Sequence, residues 1–194
     1  MATLTLTEHE DLVRAYRHRD LRQAMYDEGW VVMKDVLLNL HGAEHKARRK
    51  LVNRIFNRPV FAYYEREVIP ELIDRSLAPF LAEGRADLIE LGYRTSMNFT
   101  AHFSGIDLPA GDHDATDALL ALVRKFSEGA TLVHSTRDKD AVRAECVEAL
   151  DVLEQRFLAP SLARRRTLLE RFERGEITED ELPKDVLRDI AVVQ

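Results

Sequence analysis

Apolar residues recur at helical spacing along most of this chain. Val68, Ile69, Leu72, Ile73, Leu77 and Phe80 form one set, and Leu119, Leu120, Leu122, Val123 and Phe126 another. Steps of three and four put each set on one helical face. The first predicts a helical run over 59–81 ended by Gly84, and the second a helix from a cap at Asp112 to about Gly129. Pro70 and Pro79 lie inside the first run and predict kinks, because proline lacks an N–H and crowds the preceding turn. Asp87 predicts the start of another helix that stops near Gly105. Residues 138–174 read as a long, highly charged helix bent at Pro160.

Thr7 with Glu10 and Thr178 with Glu181 have the spacing of a capping box, in which each side chain satisfies a backbone donor at the other residue. The first pair predicts a helix over 8–25, with Leu12, Ala15, Tyr16 and Leu21 on a partly apolar face. The second predicts a terminal helix around 183–193. Leu and Thr alternate over 4–7, which reads as a short strand. Gly29 and Trp30 break the first helix, and 30–40 reads as an irregular or extended connection. A further helix opens near Gly42, carries Glu44 in its first turn and is closed by Arg58-Pro59. No repeat, Gly/Ser linker or low-complexity stretch divides the chain, so a single mainly α domain is expected over 1–194.

Composition narrows the class. Hydrophobic residues at 45% and charged residues at 32% are those of an ordinary globular protein. With 34 acidic and 28 basic residues the formal charge is −6, which argues against a general nucleic-acid binder. The single cysteine, Cys146, excludes an internal disulfide framework and points to a reducing compartment. The first residues carry neither a basic region nor a long apolar run, and no apolar stretch is long enough to span a bilayer. The expectation is a cytoplasmic protein.

Chemistry concentrates in the helix after Gly42. Leu51, Val52, Ile55 and Phe56 make an apolar stripe, and Lys46, Lys50 and Arg54 a positive one. His45 and Arg49, four residues apart, lie at the border between them. An arginine fork and a histidine N–H on one face suit a carboxylate. A plain solvated charge face accounts for the same spacing, as does a docking surface for an acidic partner or for nucleic acid. Overall acidity counts against nucleic acid.

The segment His41-Gly42-Ala43-Glu44-His45-Lys46-Ala47-Arg48-Arg49-Lys50-Leu51-Val52-Asn53-Arg54-Ile55-Phe56 resembles the haem-propionate helix of the soluble bacterial cytochrome P-450 monooxygenases. The Gly, Glu, His, Arg, Leu-Val-Asn-Arg and Phe positions agree in register; His41 stands for the usual acid and Ala43 for the usual proline. Residues 10–21, 83–90 and 103–107 are similar to flanking parts of that family, and together the resemblance covers about 8–109. It implies that His45 and Arg49 hold a propionate of haem b, and that Lys46, Lys50 and Arg54 form the surface for a ferredoxin-type or other acidic electron donor. It also implies that Trp30 and Met33 fall in the segment bordering the pocket for a small organic substrate.

Other family hallmarks do not occur in this sequence. The axial thiolate loop of the Phe-x-x-Gly type, the Glu-x-x-Arg pair and the Ala-Gly-x-Asp/Glu-Thr pattern of the oxygen-activating helix are not found. Cys146 reads as a mid-helix structural residue. The other histidines show no metal-ligand spacing, and His102 reads as a satisfied core histidine. The resemblance therefore implies the N-terminal, helical portion of a cytochrome P-450 fold, truncated before the oxygen-activating helix and the cysteine loop. Such a portion is inactive alone and is completed by a separate C-terminal half. The rival expectation is a non-enzymatic helical interaction or regulatory module that exposes the charged 138–174 helix. A third is a regulator placing the basic helix on DNA.

Overall fold

A computed structural model describes residues 3–108, 112–183 and 186. The described residues are mainly helical and contain no strand. The helices are α1 (His9–Arg17), α2 (Trp30–Met33), α3 (Gly42–Val52), α4 (Arg58–Tyr63), α5 (Ile69–Glu83), α6 (Leu88–Phe103), α7 (His113–Ala130), α8 (Lys139–Leu153) and α9 (Ala159–Glu173).

The N-terminal expectations need correction. Residues 4–7 are not a strand; with one exposed strand-like stretch and no partner, no ladder satisfies the backbone. Glu8, not Thr7, precedes α1, and no side chain caps it. α1 ends at Arg17 and buries none of its residues, since Leu12 and Tyr16 remain exposed. Residues 30–40 are more ordered than expected, with α2 and a 3-10 turn over Leu37–Asn39.

The helix starts predicted at Asp87 and Asp112 hold, and Asp138 proves to be a further cap. Asp87 accepts from the Ile89 and Glu90 amides, Asp112 from Ala115, and Asp138 from Ala141. Gly84 closes α5 in the left-handed region at φ 68°. The Thr178–Glu181 box forms, but it opens only a 3-10 turn over Glu179–Glu181. Most of the predicted terminal helix lies outside the described residues.

Pro70 and Pro160 act differently from simple kinks. A π-helical turn over Tyr64–Val68 joins α4 to α5, and another over Glu154–Leu158 joins α8 to α9. In each, the residue before the proline donates five residues back, Ile69 to Tyr64 and Ala159 to Glu154. Widening the turn accommodates a ring that cannot donate and would strike the carbonyl four residues earlier, so the helix continues. Pro79 sits inside α5.

Packing follows from the apolar faces. α6, α7 and α8 enclose Met97, Ala101, Ala115, Leu119, Leu122 and Ala149, with Phe157 from the second π turn. Tyr64, Val68 and Leu72 form a second cluster against Tyr63 and Phe103. α2 seals a third, Leu132, Val142 and Cys146, with Val31 and Val32. Ile177, Leu182 and Val186 fold back on Leu168, Leu169 and Phe172 of α9. No helix among the described residues is long and apolar enough to cross a membrane.

Candidate functional site

α3 begins where His41 is extended and Gly42 takes φ 58°, a turn of the chain that favours glycine. It ends at Val52, and Asn57 restarts the chain as α4 by accepting from the Val60 amide, with Pro59 in the first turn. Between these signals His45 and Arg49 stand one turn apart. His45 is half-buried and Arg49 exposed. Lys46 and Lys50 are exposed, and Arg54 is half-buried just beyond the helix. Lys46, Arg48, Arg49 and Lys50 form no ion pair with any described residue.

α3 buries none of its own residues. Leu51 is 51% exposed and Phe56 50% exposed, although the Phe56 ring meets Phe61 and Phe103 at centroid distances of 6.3 and 5.5 Å. The apolar stripe read from the sequence is thus half open, with Leu51 and Phe56 exposed and Val52 and Ile55 half-buried, beside the exposed cations Lys46 and Lys50. A fork and a ring N–H on this border fit a carboxylate. Among the described residues, no group of three or more His, Cys, Asp or Glu is arranged to hold a metal ion.

The structure separates Trp30 from Met33. Trp30 is 55% exposed on the rim of a cleft of about 260 Å³ that also takes in Tyr26, Gln23, Lys34 and His41, the residue preceding α3. The Gln23 amide nitrogen donates to Asn39, while its Oε1 is buried with no partner among the described residues. Met33 is buried, and its carbonyl accepts from the Asn39 side chain at 2.9 Å.

Cys146 lies where the sequence places it, in the middle of a helix. It is 1% exposed, with its thiol on the Lys125 carbonyl at 3.4 Å. Burial and the nearby Glu128 and Glu145 charges push that thiol above its ordinary pKa. A thiol so enclosed is held protonated and out of reach of an external ligand. His102 shares a hydrogen bond of 3.2 Å with the Tyr64 hydroxyl, as expected of a satisfied histidine.

One charged cleft was not legible in the sequence. It has a volume of about 520 Å³ and lies between α5, α6, the loop after α6, and α9. Asp107 in that loop receives Arg164 through two bonds of 2.6 and 2.8 Å and Arg165 through one of 3.1 Å. Burial would raise the Asp107 pKa, but the Arg164 hydrogen bond and both guanidinium charges outweigh it and hold the group below its ordinary value. The only local sign of this cleft is the four-residue row Glu67, Glu71, Arg75. Asp107 and its partners Arg164 and Arg165 on α9 are 57 and 58 residues apart along the chain, so no spacing rule connects them.

No protein-family model, no curated protein and no solved structure matches this chain.

Proposed function

We propose that this chain is the N-terminal portion of a haem-dependent, cytochrome P-450-like monooxygenase, in which His45 and Arg49 grip a propionate of haem b. The observation that carries the reading is the α3 segment: a family-like register of residues on a helix whose histidine and arginine share one face beside a half-open apolar stripe. When bound, haem supplies oxygen activation, so that one oxygen atom from O2 enters a small organic substrate. This chain's own residues orient and neutralise a carboxylate, while Lys46, Lys50 and Arg54 offer a positive surface to an acidic electron donor. Trp30 contributes to the substrate border, and the thiolate comes from a separate or following C-terminal portion.

Two measurements test this reading. The adjoining coding sequence should contain a cysteine in a Phe-x-x-Gly-type loop and a Glu-x-x-Arg pair; their absence from the locus overturns the family reading. The 194-residue chain, mixed with haem, reduced and treated with CO, should lack the absorbance band of thiolate-ligated haem. A clear band would sink the expectation that it is inactive alone, which rests on the thiolate loop that this sequence does not contain.

A second reading is a non-enzymatic helical interaction module. It draws on exposed Val147 and Val152 on α8 and Leu162 on α9, apolar positions on the most charged part of the chain. A monodisperse, haem-free oligomer of the purified chain favours it.

A further inference from the structure

α1 is an amphipathic helix that buries none of its residues. His9, Leu12, Val13 and Tyr16 recur on one face at steps of three and four, and Tyr16 is 89% exposed. An isolated helix of nine residues is marginal in water on local propensity alone, so its form calls for a partner on that face. We propose that this face pairs with the same face of a second copy of the chain, the two α1 helices running antiparallel about a two-fold axis.

The charge pattern selects both this occupant and this direction. Glu10 and Arg17 are two helical turns apart and so stand on the same flank of the apolar face. Asp11 and Arg14 pair with each other on the far side of the helix, whereas Glu10 and Arg17 form no ion pair with any described residue. When two identical helices pair antiparallel, the same flank of each faces its counterpart, so Glu10 of each copy lies opposite Arg17 of the other. The two-fold axis makes that contact twice, and between the two contacts Tyr16 of each copy packs on Val13 of the other. A parallel pair would instead set both acidic first turns and both basic last turns side by side. The interface is small, so its dissociation constant should be on the order of 0.1 mM. α1 shares no residue with α3, α8 or α9, and the proposal rests on neither reading above.

Sedimentation equilibrium of the full chain over about 5–500 µM should show a monomer–dimer equilibrium. Tyr16→Ala should weaken the dimer by about tenfold or more. Glu10→Lys and Arg17→Glu should each weaken it by about tenfold, because both two-fold contacts then join like charges. An equimolar mixture of Glu10→Lys and Arg17→Glu should regain most of the lost affinity, since one copy then brings two cations and the other two carboxylates. A helix that merely frays in the single variants cannot recover on mixing. A monomer throughout, a dimer indifferent to Tyr16→Ala or to the charge reversals, or no recovery in the mixture would each overturn the proposal.

Discussion

Asn98 joins three helices through one side chain. On α6 and 3% exposed, it donates to the Ser76 hydroxyl of α5 at 2.9 Å and accepts from the Thr116 hydroxyl of α7 at 2.9 Å. Ser76 donates onward to the Leu72 carbonyl at 2.7 Å, so the buried network is satisfied along its length. Asn98→Ala should destabilise the fold by about 2–3 kcal/mol, through two lost bonds and the space left behind. Urea unfolding measures this, and a loss below about 0.5 kcal/mol contradicts the role. None of this was legible in the sequence, where Ser76, Asn98 and Thr116 look like ordinary polar positions on amphipathic helices. Their helical phase pointed inward, but only packing tells whether an inward polar group meets a partner. His45 and Arg49 are the opposite case. Their shared face follows from spacing alone, and the structure adds how open that face is.

Among the elements, α2 shows most clearly how packing exceeds pattern. Gly29 reads in the sequence as a helix breaker. In the fold a Cβ there would lie 2.3 Å from the Gly129 carbonyl oxygen and 2.7 Å from that of Ala130, so backbone meets backbone where α2 crosses α7. Gly129 is equally confined, since a Cβ would come 2.3 Å from the Cys146 sulfur. Gly129→Ala should therefore destabilise by about 1–3 kcal/mol through overpacking, despite a helix-propensity gain of up to about 1 kcal/mol. Adding Cys146→Ala should recover part of that loss, because the two sites share one contact. A double-mutant cycle without coupling would remove this explanation. The π turns belong to this scale as well. Pro70 and Pro160 were visible as interruptions, but whether a helix kinks, stops or widens depends on what the next turn packs against. Here Phe157, Tyr64 and Val68 are buried at the widened turns, and their burial rewards continuation.

Across the whole molecule, charge is distributed unevenly. The chain is acidic overall, yet the α3 cations have no ion-pair partners among the described residues, while Arg164 and Arg165 converge on one aspartate. The Asp107 junction ties α9 to the loop after α6, and Ser161 reinforces it by accepting from the Asp107 amide at 2.9 Å. Because the folded Asp107 pKa is depressed, its stabilising contribution is present above the ordinary aspartate value of about 3.9 and is lost as pH falls through the lower folded value. Asp107→Asn should reduce stability at neutral pH, and its deficit relative to the parent should shrink as pH drops below about 4. Denaturant unfolding followed across that range checks the sign; a deficit that stays constant in acid contradicts the linkage.

The sequence by itself determined the helical class, most helix limits after residue 41, and the presence of a cationic face beside an apolar stripe. These are local matters: spacing of three and four, a capping aspartate, a glycine that tolerates positive φ. It misjudged residues 4–25, where a strand pattern and a capping box found nothing to pack against and local preference lacked tertiary support. Tertiary structure alone decided that Trp30 faces a cleft while Met33 is buried, and that Cys146 is sealed between α7 and α8. It alone also brought Arg75 to the same cleft as Asp107, Arg164 and Arg165. Periodicity assigns a residue to a face, but the identity of what that face meets is set by contacts between distant parts of the chain.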